Sequence, residues 1–525
     1  MIGDLFLRLK NIFMMSGIIT EQFLMRFTVF LTFFSLFLLF AWFLYGLKTK
    51  KISFNGLSRK IAVFLVIIFL LGLTIRIFSP AKFGAGGGDE LFYVEVAEEV
   101  WSSGRYALEQ PLREDRLFFK PYYLYIHLLA PLTGFLDPLF AGRLLNILIG
   151  SLTIVSSFFM TKKFFDEKTG LVAGFLVATL PLGIHLSHTT ETQTLSVFLM
   201  TLMIPVFKNY VDRGGFYWGF GSSIFLAGLV LTRSFNWIFV PVFILLFLSE
   251  RIFSLENFKN YVVYGVTFCF LTIVSFLQNI PFGFREGGGE TYFFNVSNIP
   301  ENFLGILEKT FESLYYIPFT LASLAGIYLA LKNKRDVKLL LAPLAVYTFL
   351  ITSYEPMLQA YPMTKFYYMT FVLLIPFVSY FFIEISKSKR FKVLAITLLV
   401  FLGSVGVFES LNYYEEKQTK ASSIIMENIE ENHSECGVIT FDARPLRVVS
   451  DKVPADIPHE KKDMDWFREN FGECLVYARI YGFESPQINW FEEKFPPENP
   501  VIEEEPLTGE FGSSIYVEAY RYELE

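Results

Sequence analysis

The chain has 525 residues, 53% of them hydrophobic, with 62 phenylalanines and a mean hydropathy of +0.44. That composition excludes a soluble protein of this size, and the apolar residues fall in runs matching the roughly 20 residues a spanning helix needs. The net charge of −6 is unevenly split: residues 415–525 hold 25 Asp and Glu against 11 Lys and Arg, a net of −14, which leaves +8 for 1–414. A basic membrane part with an acidic, water-exposed tail follows, and a nucleic-acid surface is excluded.

In chain order, residues 1–26 read as an in-plane amphipathic helix. Spanning helices are predicted at 27–47, 61–79, 141–161, 169–186, 192–208, 215–233, 235–250, 259–280, 313–331, 337–353, 364–384 and 392–409. The first run lacks a small-residue cleavage site and is predicted to stay as an anchor. Between the second and third runs lies the charged stretch 84–121, followed by 122–135, which is apolar but short and broken by Pro131 and Gly134. This segment is expected to be interfacial or re-entrant. The basic loops around Lys51 and Lys60, Lys162 to Lys168, Lys208 and Arg213, Lys259, Lys332 to Lys338, and Lys387 to Lys392 then all fall on the cytoplasmic side. The opposite face receives 80–140, the region of His188, Arg233, the loops 281–312 and 354–363, and the tail.

The tail has globular composition, with a helix expected at 417–432 and strands at 437–442, 474–480 and 514–522. The chain is thus predicted to be an all-α polytopic membrane bundle of about 12 transmembrane helices, with a large first extracytoplasmic loop and a small C-terminal α/β soluble domain. Three parts are expected: 1–60 as an anchor with one extra spanning helix, 61–412 as the main transmembrane domain, and 413–525 as the soluble domain outside. Cys269 sits in an apolar run and is expected in the core, whereas Cys436 and Cys474 form either one disulfide or two free thiols. Asn295 and Asn432 begin glycosylation sequons on the outer face.

The candidate functional residues cluster on that face. Asp89 and Glu90 follow the glycines at 84 and 86–88, which allow a sharp turn, and start an amphipathic helix running to Gly104. Asp89 is either a simple N-cap or a general base for an acceptor hydroxyl. Lys120 precedes Pro121 at the membrane boundary, where it either snorkels or meets a phosphate. His185, His188 and Glu191 are spaced by three, so they fall near one another on a helical face and could carry a divalent metal or another site role. Arg233 stands between two apolar runs, a costly and usually functional place for a charge. Lys365 opens another helix on the same face, and Arg285, Glu286 and Glu290 lie in a glycine-rich loop.

Taken together these segments resemble the GT-C superfamily of polyprenyl-phosphate-sugar-dependent glycosyltransferases, nearest the protein O-mannosyltransferase and lipid A aminoarabinose transferase branch. The resemblance covers roughly 61–410. It rests on Gly88-Asp89-Glu90, Ser102-Ser103-Gly104-Arg105-Tyr106, Phe119-Lys120-Pro121-Tyr122, Ala141-Gly142-Arg143-Leu144-Leu145-Asn146, and the stretch from Pro181 through His188 to Glu191. It implies that Asp89 is the catalytic carboxylate with Glu90 beside it. Lys120, Arg233 and Lys365 would bind the donor phosphate; His185, His188, Glu191, Arg285 and Glu290 are substrate or metal candidates by their placement alone, with solvent exposure the alternative for the 285–290 loop. Phe119 replaces a glutamate that helps bind metal in the aminoarabinose branch, which weakens a metal assignment and argues against that exact substrate; a divalent metal is the one cofactor candidate, and no nucleotide site is needed. The implied partners are a polyprenyl-phosphate-linked sugar donor, a glycan, lipid or protein acceptor, and membrane lipids. The implied location is a plasma membrane, with the site and the tail extracytoplasmic. The competing reading is a lipid-linked-sugar flippase or transporter, which predicts mid-helix charges and an inverted repeat; the charges lie instead at helix ends.

Overall fold

The structure is a computed structural model, and it describes residues 21–51, 57–78, 87–103, 123–249, 258–279, 299–300, 302, 314–353, 363–412, 429, 431, 435–440, 455–456, 474–480, 502–508 and 514–523. The chain forms two compact units. One comprises Met1–Ser79, Ala97–Tyr106 and Phe119–Leu411; the other comprises Pro80–Val96, Ala107–Phe118 and Asn412–Glu525.

The first unit is a helical bundle. Its described helices are α1 (Glu21–Lys48) and α2 (Arg59–Phe78), then α3 (Gly87–Ser103), of which residues 97–103 belong here. There follow α4 (Tyr123–Thr133), α5 (Pro138–Phe164), α6 (Glu167–Thr179), α7 (Pro181–His185), α8 (Thr192–Arg213) and α9 (Phe216–Thr232). A 3-10 turn at Ser234–Ile238 leads into α10 (Phe239–Ser249), and α11 (Phe258–Asn279), α12 (Tyr316–Lys332), α13 (Lys338–Thr352), α14 (Met363–Ser386) and α15 (Lys389–Asn412) complete it.

Among the described residues, six helices are long and apolar enough to cross a membrane: α1 over Val29–Lys48, α2, α5, α8, α14 over Tyr367–Ser386, and α15 over Lys389–Phe408. Burial divides them. In α5, α8 and α14 61–67% of the apolar window is buried, against 17–28% in α1, α2 and α15. The first three form the core, and the others turn residues such as Phe37, Phe64 and Val393 outward, as lipid-facing helices do. The run expected to span as 169–186 is interrupted, because Pro181 has no N–H and drives Leu180 into extended backbone, ending α6. The run 235–250 likewise begins as the 3-10 turn, leaving α10 with 11 residues. At 1.5 Å per residue, both α10 and the buried 11-residue α4 are shorter than a bilayer core.

Three of the basic loops meet at one end of this unit. Lys163 pairs with Asp212 at 3.0 Å, and Lys208 bridges Asp212 at 2.9 Å and Asp336 at 2.7 Å, joining the ends of α5 and α8 to the α12–α13 turn. Cys269 is exposed, contrary to the expectation of a core position. Its neighbours on α11, Val262, Val266 and Phe270, are exposed too. An apolar run looks alike to sequence reading whether it faces lipid or protein.

In the second unit, β1 (Gly437–Thr440), β2 (Ala455–Asp456), β3 (Cys474–Ile480), β4 (Ile502–Thr508) and β5 (Ser514–Glu523) form one sheet of order β2-β1-β3-β5-β4. β1 runs parallel to β2 and β3, whereas β3–β5 and β4–β5 are antiparallel. β4 (IEEEPLT) carries no alternating apolar pattern. It survives as an edge strand, with a register shift where Pro506 withholds a ladder donor. Cys436 and Cys474, just before β1 and at the start of β3, are joined as a disulfide with Cα atoms 4.9 Å apart. The helix expected at 417–432 lies, except for residues 429 and 431, outside the described residues.

Two outcomes follow. A Cβ on Gly326 would stand 2.0 Å from the Phe377 carbonyl oxygen, so Gly326→Ala should force α12 from α14 and cost about 1–3 kcal/mol, seen as a lower unfolding temperature in detergent. Cys436→Ser should cost the tail about 2–4 kcal/mol and open it to limited proteolysis, with no effect on the bundle's unfolding temperature.

Candidate active site

The site grows out of the break at Pro181. Ending α6 there leaves the carbonyls of Val177 and Ala178 without a full set of helical donors. Arg76, fully buried on α2, takes them up. Its guanidinium donates to Val177 O at 3.0 Å, Ala178 O at 3.2 Å, Gly72 O at 3.0 Å and Ser187 Oγ at 3.1 Å. A buried arginine without such acceptors would cost several kcal/mol, so these four bonds explain how the charge is tolerated. Ser187 in turn donates to Gly183 O at 2.7 Å, and Gly150 makes room for it, since a Cβ there would lie 2.3 Å from the hydroxyl.

The turn 186–191 is clamped from α5 as well. Asn146 Nδ2 donates to the carbonyls of Thr189 and of Glu191, the latter at 2.9 Å. Gly142 lies flush against Thr190. The turn delivers Glu191 to the N-cap of α8 in extended backbone, where its side chain does not cap the helix. Its Oε1 instead receives Lys365 Nζ, from the first turn of α14, at 2.9 Å. Arg233, just past the end of α9 and 5% exposed, donates from Nη1 to Thr192 Oγ1 at 2.7 Å, with its guanidinium 5.8 Å from the Phe235 ring. Two cations are therefore held on consecutive residues at the positive end of a helix dipole.

Of the residues predicted from sequence, the structure brings Glu191, Arg233 and Lys365 together, with His185 and His188 in the preceding turn. Asp89 and Glu90 lie in the first turn of α3, and Glu90 is fully buried. The side chain of Asp89, and all of Lys120, Arg285, Glu286 and Glu290, lie outside the described residues. His185, His188 and Glu191 do not share a helical face, because α7 ends at His185 and the chain turns. Among the described residues, the one group bringing three metal-ligand atoms together is Glu435, Cys436 and Cys474. Two of those are the disulfide sulfurs, not thiolate ligands.

Sequence reasoning missed Arg76 and Thr192, and it noted Asn146 only as the last residue of a resemblance motif, with no role. Arg76 did carry a signal, a lone arginine inside an apolar run; nothing local marks Thr192 or the clamping role of Asn146, whose partners lie 40 or more residues away.

His188, half-buried with its Nε2 shielded from solvent, has its pKa lowered to about 4, first by burial and then by the charges of Arg76 and Arg143. Since the unfolded chain would bind this proton first, the neutral imidazole's contribution to stability is present above pH 6.5 and is lost as pH falls towards 4. Thermal unfolding in detergent between pH 7 and 4 should show that loss, and His188→Gln should flatten the slope.

Residues 121–277 match the family model described as dolichyl-phosphate-mannose-protein mannosyltransferase. No curated protein sequence matches the chain. Among solved structures, ArnT from Cupriavidus metallidurans is similar with a TM-score of 0.57 at 13% identity, over 87% of this chain and 98% of that one. The archaeal oligosaccharyltransferase AglB from Archaeoglobus fulgidus gives 0.51 at 11% identity, over 80% and 69%. The mycobacterial arabinofuranosyltransferase AftD gives 0.50 at 13%, over 88% and 40%. The chain thus carries a segment that matches this mannosyltransferase family model, and it shares the fold of these three membrane transferases.

Proposed function

We propose that the protein moves a sugar from a polyprenyl-phosphate donor to an acceptor hydroxyl on the extracytoplasmic side of the plasma membrane, with inversion at the anomeric carbon. The observation that carries this reading is the pair of cations, Arg233 and Lys365, anchored on Thr192 and Glu191 at the start of α8. A helix N-terminus with two basic side chains is a seat for an anion. In the ligand-free chain the Glu191 carboxylate holds Lys365, and a phosphate arriving there competes for the same ammonium. Neighbours support a lipid phosphate as the anion: one ArnT structure is bound to undecaprenyl phosphate, and one AglB structure holds dolichol-phosphate with an inhibitory peptide.

In this reading Asp89 takes the proton from the acceptor hydroxyl as its oxygen attacks the anomeric carbon. The bond from that carbon to the phosphate oxygen breaks, and polyprenyl phosphate leaves with the electron pair. Lys120, Arg233 and Lys365 stabilise the leaving phosphate, and their contribution is preorganised charge at a dry boundary. The chain's three parts take distinct roles: 1–60 anchor, 61–412 catalyse, and 413–525 fold outside the membrane. A disulfide in the tail accords with an oxidising compartment.

Purified protein given labelled polyprenyl-phosphate sugars and acceptor extracts should release polyprenyl phosphate only when acceptor is present. Asp89→Asn should lower turnover about 10²–10⁴-fold with donor binding and unfolding temperature unchanged, and Arg233→Ala should weaken binding of polyprenyl phosphate. Transfer of lipid between leaflets with no glycosidic bond broken would instead establish the flippase reading.

A further inference from the structure

Beside the cations lies a group of buried, neutral polar side chains that the phosphate seat does not use. Gln193, the second residue of α8, is 3% exposed, and neither its amide nitrogen nor its oxygen has a hydrogen-bond partner among the described residues. It follows Thr192, to which Arg233 is bonded. On α14, two residues beyond Lys365, the hydroxyl of Tyr367 is buried and unpartnered, and so is that of Thr370, one turn on along the same face. On α13, Tyr347 is stacked on Phe239 at 5.5 Å, and lies within electrostatic range of both Tyr367 and Arg233. The ion pair between Lys365 and Glu191 joins the starts of α14 and α8, and both helices pack against α13, which places these groups toward the end of the bundle that carries the cations.

Buried polar groups in folded proteins are almost always partnered, and each exception calls for an explanation. One orphan could be a packing accident, but an amide, a phenol and a threonine hydroxyl next to a phosphate seat share a chemistry. They can both donate and accept, and none is charged. The group this suits is a ring bearing several neutral hydroxyls, attached to the phosphate that Arg233 and Lys365 hold. We infer that Gln193, Tyr367 and Thr370 form the subsite for the sugar ring of the donor, reading its hydroxyls through neutral hydrogen bonds. This inference rests on the phosphate seat proposed above and adds the residues that recognise the sugar. A site built to bond hydroxyls discriminates strongly against a ligand lacking them, because its own buried groups are then left unpaired.

The test compares two classes of probe in detergent: bare polyprenyl phosphate, and its mannosyl, glucosyl and arabinosyl phosphodiesters. The wild type should bind at least one glycosylated form more tightly than the bare phosphate. Gln193→Met, close to the native shape, and Tyr367→Phe, which removes one oxygen, should each reduce that preference about 10-fold or more, while affinity for the bare phosphate stays within about twofold. Arg233→Ala should weaken binding of every probe. The subsite is overturned if the wild type shows no preference for any glycosylated form. It is equally overturned if both Gln193→Met and Tyr367→Phe keep the wild-type preference, or if they lose bare and glycosylated probes in parallel. Failure of the phosphate seat has a different signature: Arg233→Ala would bind bare polyprenyl phosphate as the wild type does.

Discussion

The arrangement at the site depends on one backbone constraint, the missing amide hydrogen of Pro181. It ends α6 inside the bundle and exposes carbonyls where no water can reach them. Arg76 satisfies those carbonyls and Ser187 together, and so ties α2 to the segment that follows the break. Asn146 fixes the far side of the same turn from α5. With both sides held, the chain enters α8 at one angle, and Glu191 and Thr192 become anchor points for Lys365 and Arg233. A loop carrying the same side chains without this clamp would leave the cations free to follow their rotamers.

The two ends of the bundle handle charge differently. At one end Lys163, Lys208, Asp212 and Asp336 neutralise one another in a compact network, a common way to hold helix ends together near water. At the other, Lys365 meets the Glu191 carboxylate, Arg233 the Thr192 hydroxyl and Arg76 backbone carbonyls. Positive charge fixed at a helix N-terminus favours an incoming anion. The same end carries the buried neutral groups of α8 and α14, so charge and hydroxyl recognition lie side by side.

The sequence by itself determined the helical, membrane-spanning class of fold, because runs of hydropathy are local and strongly patterned signals. It also marked Arg233, Lys365 and Glu191, since a charge at the edge of an apolar run stands out against its neighbours. Only the tertiary structure decided that Lys365 meets Glu191, 174 residues away, that Arg76 fastens the break at Pro181, and that Cys436 and Cys474 are bonded while Cys269 faces outward. It also brought Tyr347 and Tyr367, unremarkable polar residues in separate helices, near one another. Those outcomes depend on which faces of distant helices touch, and helical periodicity records that a face is apolar without recording what covers it.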